Sequence, residues 1–528
     1  MSTSDIRPEQ LLPNLYRFAD SCNVYVIRKG DRAIAVDFGS GRWMQALPGL
    51  GINQLEHVFL THHHSDQCAG LQAQEHWPFT IHAPSGEEKF LSPEGQRRGT
   101  FDRRGRGCPD SYAVLKGGLQ DVRYDMAGFG DFIWRDARIR FLHTPGHGPH
   151  ACSVIADIEG RQAAFCGDAA HAGGTIWQPF HLEWDHWTGQ GALAAWEGIT
   201  RLQAVGLDLL CPAHGPVIAD LPRNVLAKLQ TRLMAFYLAK GQISPGEADN
   251  YVSPTLLKCG ARLVLPGLYQ FGTNGYLLRS RMGEGLVVDP QQPDLRELDA
   301  LLSELGSIKV TVATATHYHA DHCDALPFVR ERFGARVVLH PMVAEPLHDV
   351  QGADVPWLPA QSIQADELWP ERGVWNWNEY EFDIAPWPGQ THWHCIFMTR
   401  VAGQSVGARR AAGQRAAFGG DSFQPSTRWN GTGGFCAYNS SRFEEGFVRS
   451  AELLLRWRPD VLACGHGTYY RFKRSKFHKI ITWAQVAERA TRELCPSGDL
   501  QQDYYLIGLD ARQRIETPGA FFWIEHAQ

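Results

Sequence analysis

Two short runs, THHHSDQ at residues 61–67 and THYHADH at 316–322, each place histidines at alternate positions ahead of an aspartate. Imidazole and carboxylate are the donors that suit zinc or iron. Alternate side chains of an extended loop point the same way, so His62 with His64, and His317 with His319, can converge on one ion. A carboxylate held between two ions can bridge them and help hold a water whose pKa falls toward neutrality. Chemistry of that kind needs no side-chain nucleophile.

The two runs are offset by 255 residues, and further matching pieces follow each of them. PGH at 145–147 answers PGQ at 388–390, CGDA at 166–169 answers GGDS at 419–422, and PAHG at 212–215 answers CGHG at 464–467. Pro13 matches Pro266 at 253, Asp37 matches Asp289 at 252, Asp168 matches Asp421 at 253 and His214 matches His466 at 252. Near-constant separation of ordered landmarks is the mark of a duplicated unit. Only the PGH/PGQ pair slips, to 243, so the second copy is shorter before that point and longer after it. The Gly-, Ala- and Arg-rich stretch 403–414 reads as a surface loop that supplies the extra length.

Each copy opens with β-branched and aromatic runs, NVYVIR and AIAVD or NGYLLR and GLVVD, which predict the first strands of a sheet. A further apolar run, HVFLTH or VTVATATH, carries the chain into the histidines, which therefore sit on the loop after a strand. Residues after Asp66 and Asp321 read as helical. Later strands deliver Asp168 or Asp421, and then His214 or His466. A helix-forming stretch from Leu221 to Lys240 leads into the second copy, and the boundary falls near Asp249, giving domains 1–249 and 250–528.

HxHxDH, a PGH histidine, a GD aspartate and a GHG-type histidine, in this order and twice, resemble the metallo-β-lactamase-fold superfamily over nearly the whole chain. The resemblance implies an α/β (α+β) protein of two consecutive αββα sandwich domains, each with a site for one or two metal ions. Carried over by position, it implies His62, His64 and His147 for one metal, Asp66 and His214 for the other, and Asp168 as the bridge. Gln67 stands where the family has a second-metal histidine; it is either a weak amide ligand or merely a hydrogen-bonding residue. In the second copy His317 and His319 are present but Gln390 replaces the third histidine, while Asp321, His322 and His466 with bridging Asp421 complete the second position. His392 and His394 lie close enough in sequence to substitute if the strand register allows. Asp37 and Asp289 close matching strands, where a carboxylate orients a ligand histidine or simply makes a turn.

The implied activity is hydrolysis of a thioester, ester, lactone or amide, with Asp66, Asp168, Asp321 and Asp421 as the candidate catalytic carboxylates. Zinc is the expected metal, with iron or manganese as the alternative. Because His62, His147 and Asp168 match mononuclear iron positions in the family, oxidation of a thiol or persulfide is the competing activity. The first copy keeps the fuller first-metal set and is expected to be the main centre, with the second a degenerate, structural or regulatory partner packed against it. The aromatic run Trp177, Phe180, Trp184 and Trp187 either walls an apolar pocket or packs in a core or interface.

Composition is that of an ordinary globular protein, with 44% hydrophobic and 20% charged residues in 528. A net charge of -6 gives no reason to expect a nucleic-acid partner, so a small-molecule substrate is expected. No stretch approaches the roughly 18 apolar residues of a membrane span. The N-terminus reads without a secretory signal, and twelve cysteines show no disulfide-framework spacing, so a cytoplasmic location is expected.

Overall fold

A computed structural model of the protein describes residues 6–99, 113–127, 130–184, 190–240, 246, 249–306, 308–353, 355–401, 405–406, 409–410, 413–423 and 442–505. Trp187, the polar counterpart of the aromatic run after Phe423, and the chain beyond Tyr505 lie outside these residues.

In the first half, seven strands from Pro8–Leu12 to Val122–Met126 form one sheet in sequential order. Its first four strands pair antiparallel as hairpins, and Arg32–Val36, Gln54–Phe59, Thr80–Pro84 and Val122–Met126 then run parallel. A second sheet of five strands spans Asp131–Trp134 to Leu209–Pro212. The second half repeats this with an eight-stranded and a six-stranded sheet. Its parallel pairing of Gln414–Gly420 with Val461–Cys464 answers that of Arg161–Gly167 with Leu209–Pro212.

The layers follow from the two-residue period of a strand. Along Asn23–Lys29, Tyr25 and Ile27 face the second sheet, joining Phe141, Val154 and Phe165, whereas Val24 and Val26 face outward to Trp43 and Leu47. On Cys152–Ile158, Val154 and Ala156 face inward while Ile155 meets the helices Gln190–Gln203 and Pro222–Lys240. Both faces of each sheet are thus covered, and the αββα sandwich expected of each half is the architecture observed.

The length difference between the copies has a local cause. In the first half Glu159 and Gly160, both at positive φ, make the two-residue hairpin between Cys152–Ile158 and Arg161–Gly167. In the second half the chain between Cys395–Val401 and Gln414–Gly420 instead carries a short antiparallel ribbon, Ser405–Val406 with Arg409–Arg410. The stretch read as a plain loop is therefore partly strand.

Contacts cross between the halves. The helix Pro222–Lys240 lies along Arg474–Leu494, and the Trp483 indole N–H donates to the Ala239 carbonyl. Among the described residues no helix is long and apolar enough to cross a membrane.

Candidate metal centres

Every candidate ligand sits where a strand of the sandwich ends. The strand Gln54–Phe59 runs out into residues 60–64, which bend at Thr61 and His62, and His64, at φ -62 and ψ 144, caps the short helix Ser65–Cys68. The loop after Ala137–His143 carries His147, Asp168 follows Arg161–Gly167, and His214 follows Leu209–Pro212.

His62, His64 and His147 are buried and present nitrogens within 4.8 Å of one another. His64 Nδ1 lies 3.1 Å from His147 Nε2. His62 Nε2 is buried with no hydrogen-bond partner, an unmet need that a cation would satisfy. Burial, and after it the neighbouring imidazoles, hold His64 and His147 well below the usual histidine range, so they are neutral and have lone pairs to give. The donor set therefore fits a divalent ion such as zinc.

Asp66, Asp168 and His214 form a second group within 4.8 Å. Asp168 Oδ1 is 2.8 Å from His214 Nδ1, and its Oδ2 is 3.7 Å from His62 Nε2 and 3.6 Å from His147 Nε2. One carboxylate thus faces both groups. His214 Nε2 is 3.2 Å from Asp66. Burial opposes a charge on His214, but the Asp168 and Asp66 carboxylates carry it up to about 10. The Gln67 amide nitrogen donates to Asp66 at 3.1 Å and to Asp168 at 3.4 Å, and its carbonyl oxygen is buried without a hydrogen-bond partner.

The second half has a different complement. Asp321, His322, Asp421 and His466 come within 4.8 Å of one another, whereas among the described residues no such group includes His317 or His319. His322 Nε2 is 3.2 Å from Asp421 and 3.7 Å from Asp321, and His466 Nε2 is 3.1 Å from Asp421. Burial would lower His322, but Asp421, Asp321 and Asp289 push it well above its ordinary value; Asp421 chiefly raises His466. The Gln390 amide nitrogen donates to Asp421 at 3.0 Å, so in both halves the glutamine lies beside the matching aspartate, Asp168 or Asp421.

His394 takes the register position of Ala151: the next residue, Cys395 or Cys152, donates its N–H to the Thr316 or Thr61 carbonyl. Its ring stacks on His317 at 4.8 Å and 10°, and its Nε2 is buried without a hydrogen-bond partner. His392 turns away to Glu445, 2.6 Å from the carboxylate.

Asp37 and Asp289 both lie at positive φ, 59° and 49°, an uncommon conformation that aspartate tolerates better than most residues. Each accepts from the backbone and hydroxyl of a threonine, Thr61 or Thr316, whose Oγ1 is 3.0 or 3.1 Å from Nδ1 of His62 or His317. Burial pushes Asp37 up to about 8, against the lowering effect of those bonds. Asp289 also lies 3.1 Å from His322 Nδ1, a contact with no histidine to meet it in the first half.

The threonines were not among the residues singled out from sequence, although both signatures begin with one. Glu87, buried and 2.6 Å from His63 Nδ1, carried no sequence signal. His181, buried against His64 and His147, stood in the aromatic run without an assigned role. That run divides: Trp177 stacks on His214 at 4.5 Å, while Phe180 enters an apolar core of the second half.

Gly167, at φ +54, precedes Asp168, and a Cβ there would lie 2.7 Å from Thr61 Oγ1. Gly167→Ala should cost about 1–2 kcal/mol from the left-handed backbone alone, and displacing Thr61 adds to that. A lower thermal midpoint together with reduced metal content is the expected result, read from a melt and from elemental analysis.

Comparison with known proteins identifies the family. A family model described as the metallo-beta-lactamase superfamily matches residues 17–220 and again 268–466. An atrochrysone carboxyl ACP thioesterase of Aspergillus terreus is 25% identical over 244 residues, 42% of this chain and 61% of that protein. A metallo-beta-lactamase fold-containing protein of Sulfurisphaera tokodaii is 27% identical over 161 residues, 29% of this chain and 59% of that one. The chain thus spans about three-fifths of the length of these relatives. A solved metallo-beta-lactamase of Cronobacter sakazakii overlaps 44% of this chain and 92% of its own, at TM-score 0.34 and 13% identity. With the family matched once in each half, the chain belongs to the metallo-beta-lactamase superfamily.

Proposed function

We propose that this chain is a metal-dependent hydrolase acting on a thioester, ester, lactone or amide, with thioesters the first class to test and the first half, within 1–249, as the main centre. The observation that carries the reading is the cluster of three buried imidazoles, His62, His64 and His147, with Asp168 turned toward both it and the Asp66–His214 pair. Curated relatives named as thioesterases support the substrate class, at 23–28% identity.

Zinc held by His62, His64 and His147 would supply a Lewis acid for the scissile carbonyl and lower the pKa of a water. Asp168 orients that cluster and ties it to His214. Asp66 and His214 are the more open members, with side chains 29% and 13% exposed against 1% for Asp168, and with Asp168 they are the donors a second ion in this half would use. Asp37, through Thr61, fixes the His62 ring. In the second half, within 250–528, Asp321, His322, Asp421 and His466 would hold a second ion, and that half serves the first as a packed structural or regulatory partner. A net charge of -6 favours a small-molecule substrate over nucleic acid, and ten free cysteines among the described residues fit a reducing, cytoplasmic setting.

One geometric feature favours a second reading. Asp168 Oδ2 lies within 3.7 Å of both His62 and His147, a two-histidine, one-carboxylate set that suits iron and thiol or persulfide oxidation. Metal analysis of purified protein, paired with a panel of thioesters, lactones and β-lactams, separates the two. Zinc with thioester cleavage is expected. Iron as the dominant metal, with oxygen uptake on glutathione persulfide, would overturn the hydrolase.

A further inference from the structure

The segment 168–184, after the strand Arg161–Gly167, is gripped from the second half at three points. The Ile176 N–H donates to the Leu494 carbonyl at 2.9 Å. Phe180 is fully buried in the apolar cluster of Trp387, Phe423 and Phe447. The Tyr504 hydroxyl donates to the Glu183 carboxylate, and both side chains are buried. Toward the first half the same segment faces the metal ligands. His181, 1% exposed, has its ring centre 4.3 Å from that of His64 and 4.6 Å from that of His147. The Trp184 indole N–H donates at 2.9 Å to the carbonyl of Gly146, the residue before His147.

We infer that the second half completes the first half's metal centre by holding this strap, so that His181 acts as a positioning residue for His64 and His147. The inference rests on the first half being a metal centre, as proposed above. A ligand imidazole must hold its ring orientation for its lone pair to reach the ion, and a third ring packed against two ligand rings removes their freedom to turn. His181 does this from within one residue of Phe180, and Phe180 has its contacts in the other half. Glu183 is the second anchor: taking a hydrogen bond from a buried carboxylate is costly, so Tyr504 helps tie the strap down from the far side. This gives the second half a function that does not require chemistry of its own, and it explains why its core receives an aromatic side chain from a segment lining the first half's ligands.

The test is zinc affinity by competition with a chromophoric chelator, together with the visible spectrum of the cobalt(II)-substituted protein, in a His322→Ala background that silences the second half's cluster. Phe180→Ala, Phe180→Leu, Tyr504→Phe and His62→Ala are compared, each with a thermal melt. Phe180→Ala and Tyr504→Phe are expected to weaken zinc binding by about 10-fold or more, the scale of an outer-shell loss, and to shift the cobalt bands, with Phe180→Leu recovering most of both. Tyr504→Phe removes a single oxygen, so it reports on the strap even if Phe180→Ala fails to fold. Affinity and cobalt spectra unchanged in Tyr504→Phe, with binding lost in His62→Ala, would overturn the strap and leave the metal centre standing. Unchanged binding in His62→Ala would overturn the metal centre and the strap with it.

Discussion

His62→Ala is expected to abolish thioester hydrolysis and strip metal from the first half, whereas His317→Ala leaves turnover unchanged. The two residues hold the same place in the two signatures, so the contrast comes from their surroundings. His62 completes a buried trio in which every partner is an imidazole, and Asp168 stands 3.7 Å from its Nε2. Losing it removes a donor to the ion itself, so the fall in kcat/KM should exceed the roughly 10–100-fold typical of outer partners. His317 has no third imidazole of the PGH type, because Gln390 stands there and donates to Asp421. The second half's donor group closes through His322 and His466 without it. Measuring kcat/KM and zinc content for both variants on one thioester decides the matter. Equal losses would defeat the division of labour between the halves.

The difference between the two donor sets was legible in sequence only as far as local spacing reaches. HxH on a loop after a strand, the glutamine substitutions and the 252–253 residue offset are properties of short segments, and the fold follows them. Relations set by pairing across the sheets were not legible. His394 and Ala151 are equivalent because Cys395 and Cys152 bond to the same place on the preceding loop, which no count of residues within PGQTHWH reveals. For Asp37 the choice between orienting a histidine and making a turn stayed open in sequence; it reaches His62 through the Thr61 hydroxyl, a step that depends on the positive φ of Asp37 and on the close approach of Gly167. The aromatic run was harder still. Trp177 and Phe180 are three residues apart, yet one lies on His214 and the other enters the second half's core. No single assignment could be made for the run as a whole, because its members divide between a ligand-candidate ring and a core.

The glutamines lead to the other large effect. Gln67 and His322 occupy matching places in the helices Ser65–Cys68 and Ala320–Cys323. Asp289 lies 3.1 Å from His322 Nδ1, and Nε2 faces Asp421 and Asp321. Gln67 instead sends N–H donors to Asp66 and Asp168, supplying hydrogens where a cation would require lone pairs. Asp37 already stands at the place of Asp289. Gln67→His is therefore expected to let the first half hold a second zinc, read as an increase from one to two ions per chain in a His322→Ala background. No gain would mean that Gln67 is not what limits that position. The mirror substitution should behave differently. Gln390→His alone is expected to add no metal, because His394 is already stacked on His317 where the first half has only Ala151. Gln390→His combined with His394→Ala restores the first half's pattern of one large and one small side chain, and with it the third imidazole that His317 and His319 lack. Gain in the double variant but not the single one would identify His394, rather than Gln390 alone, as the residue that keeps the two halves unlike.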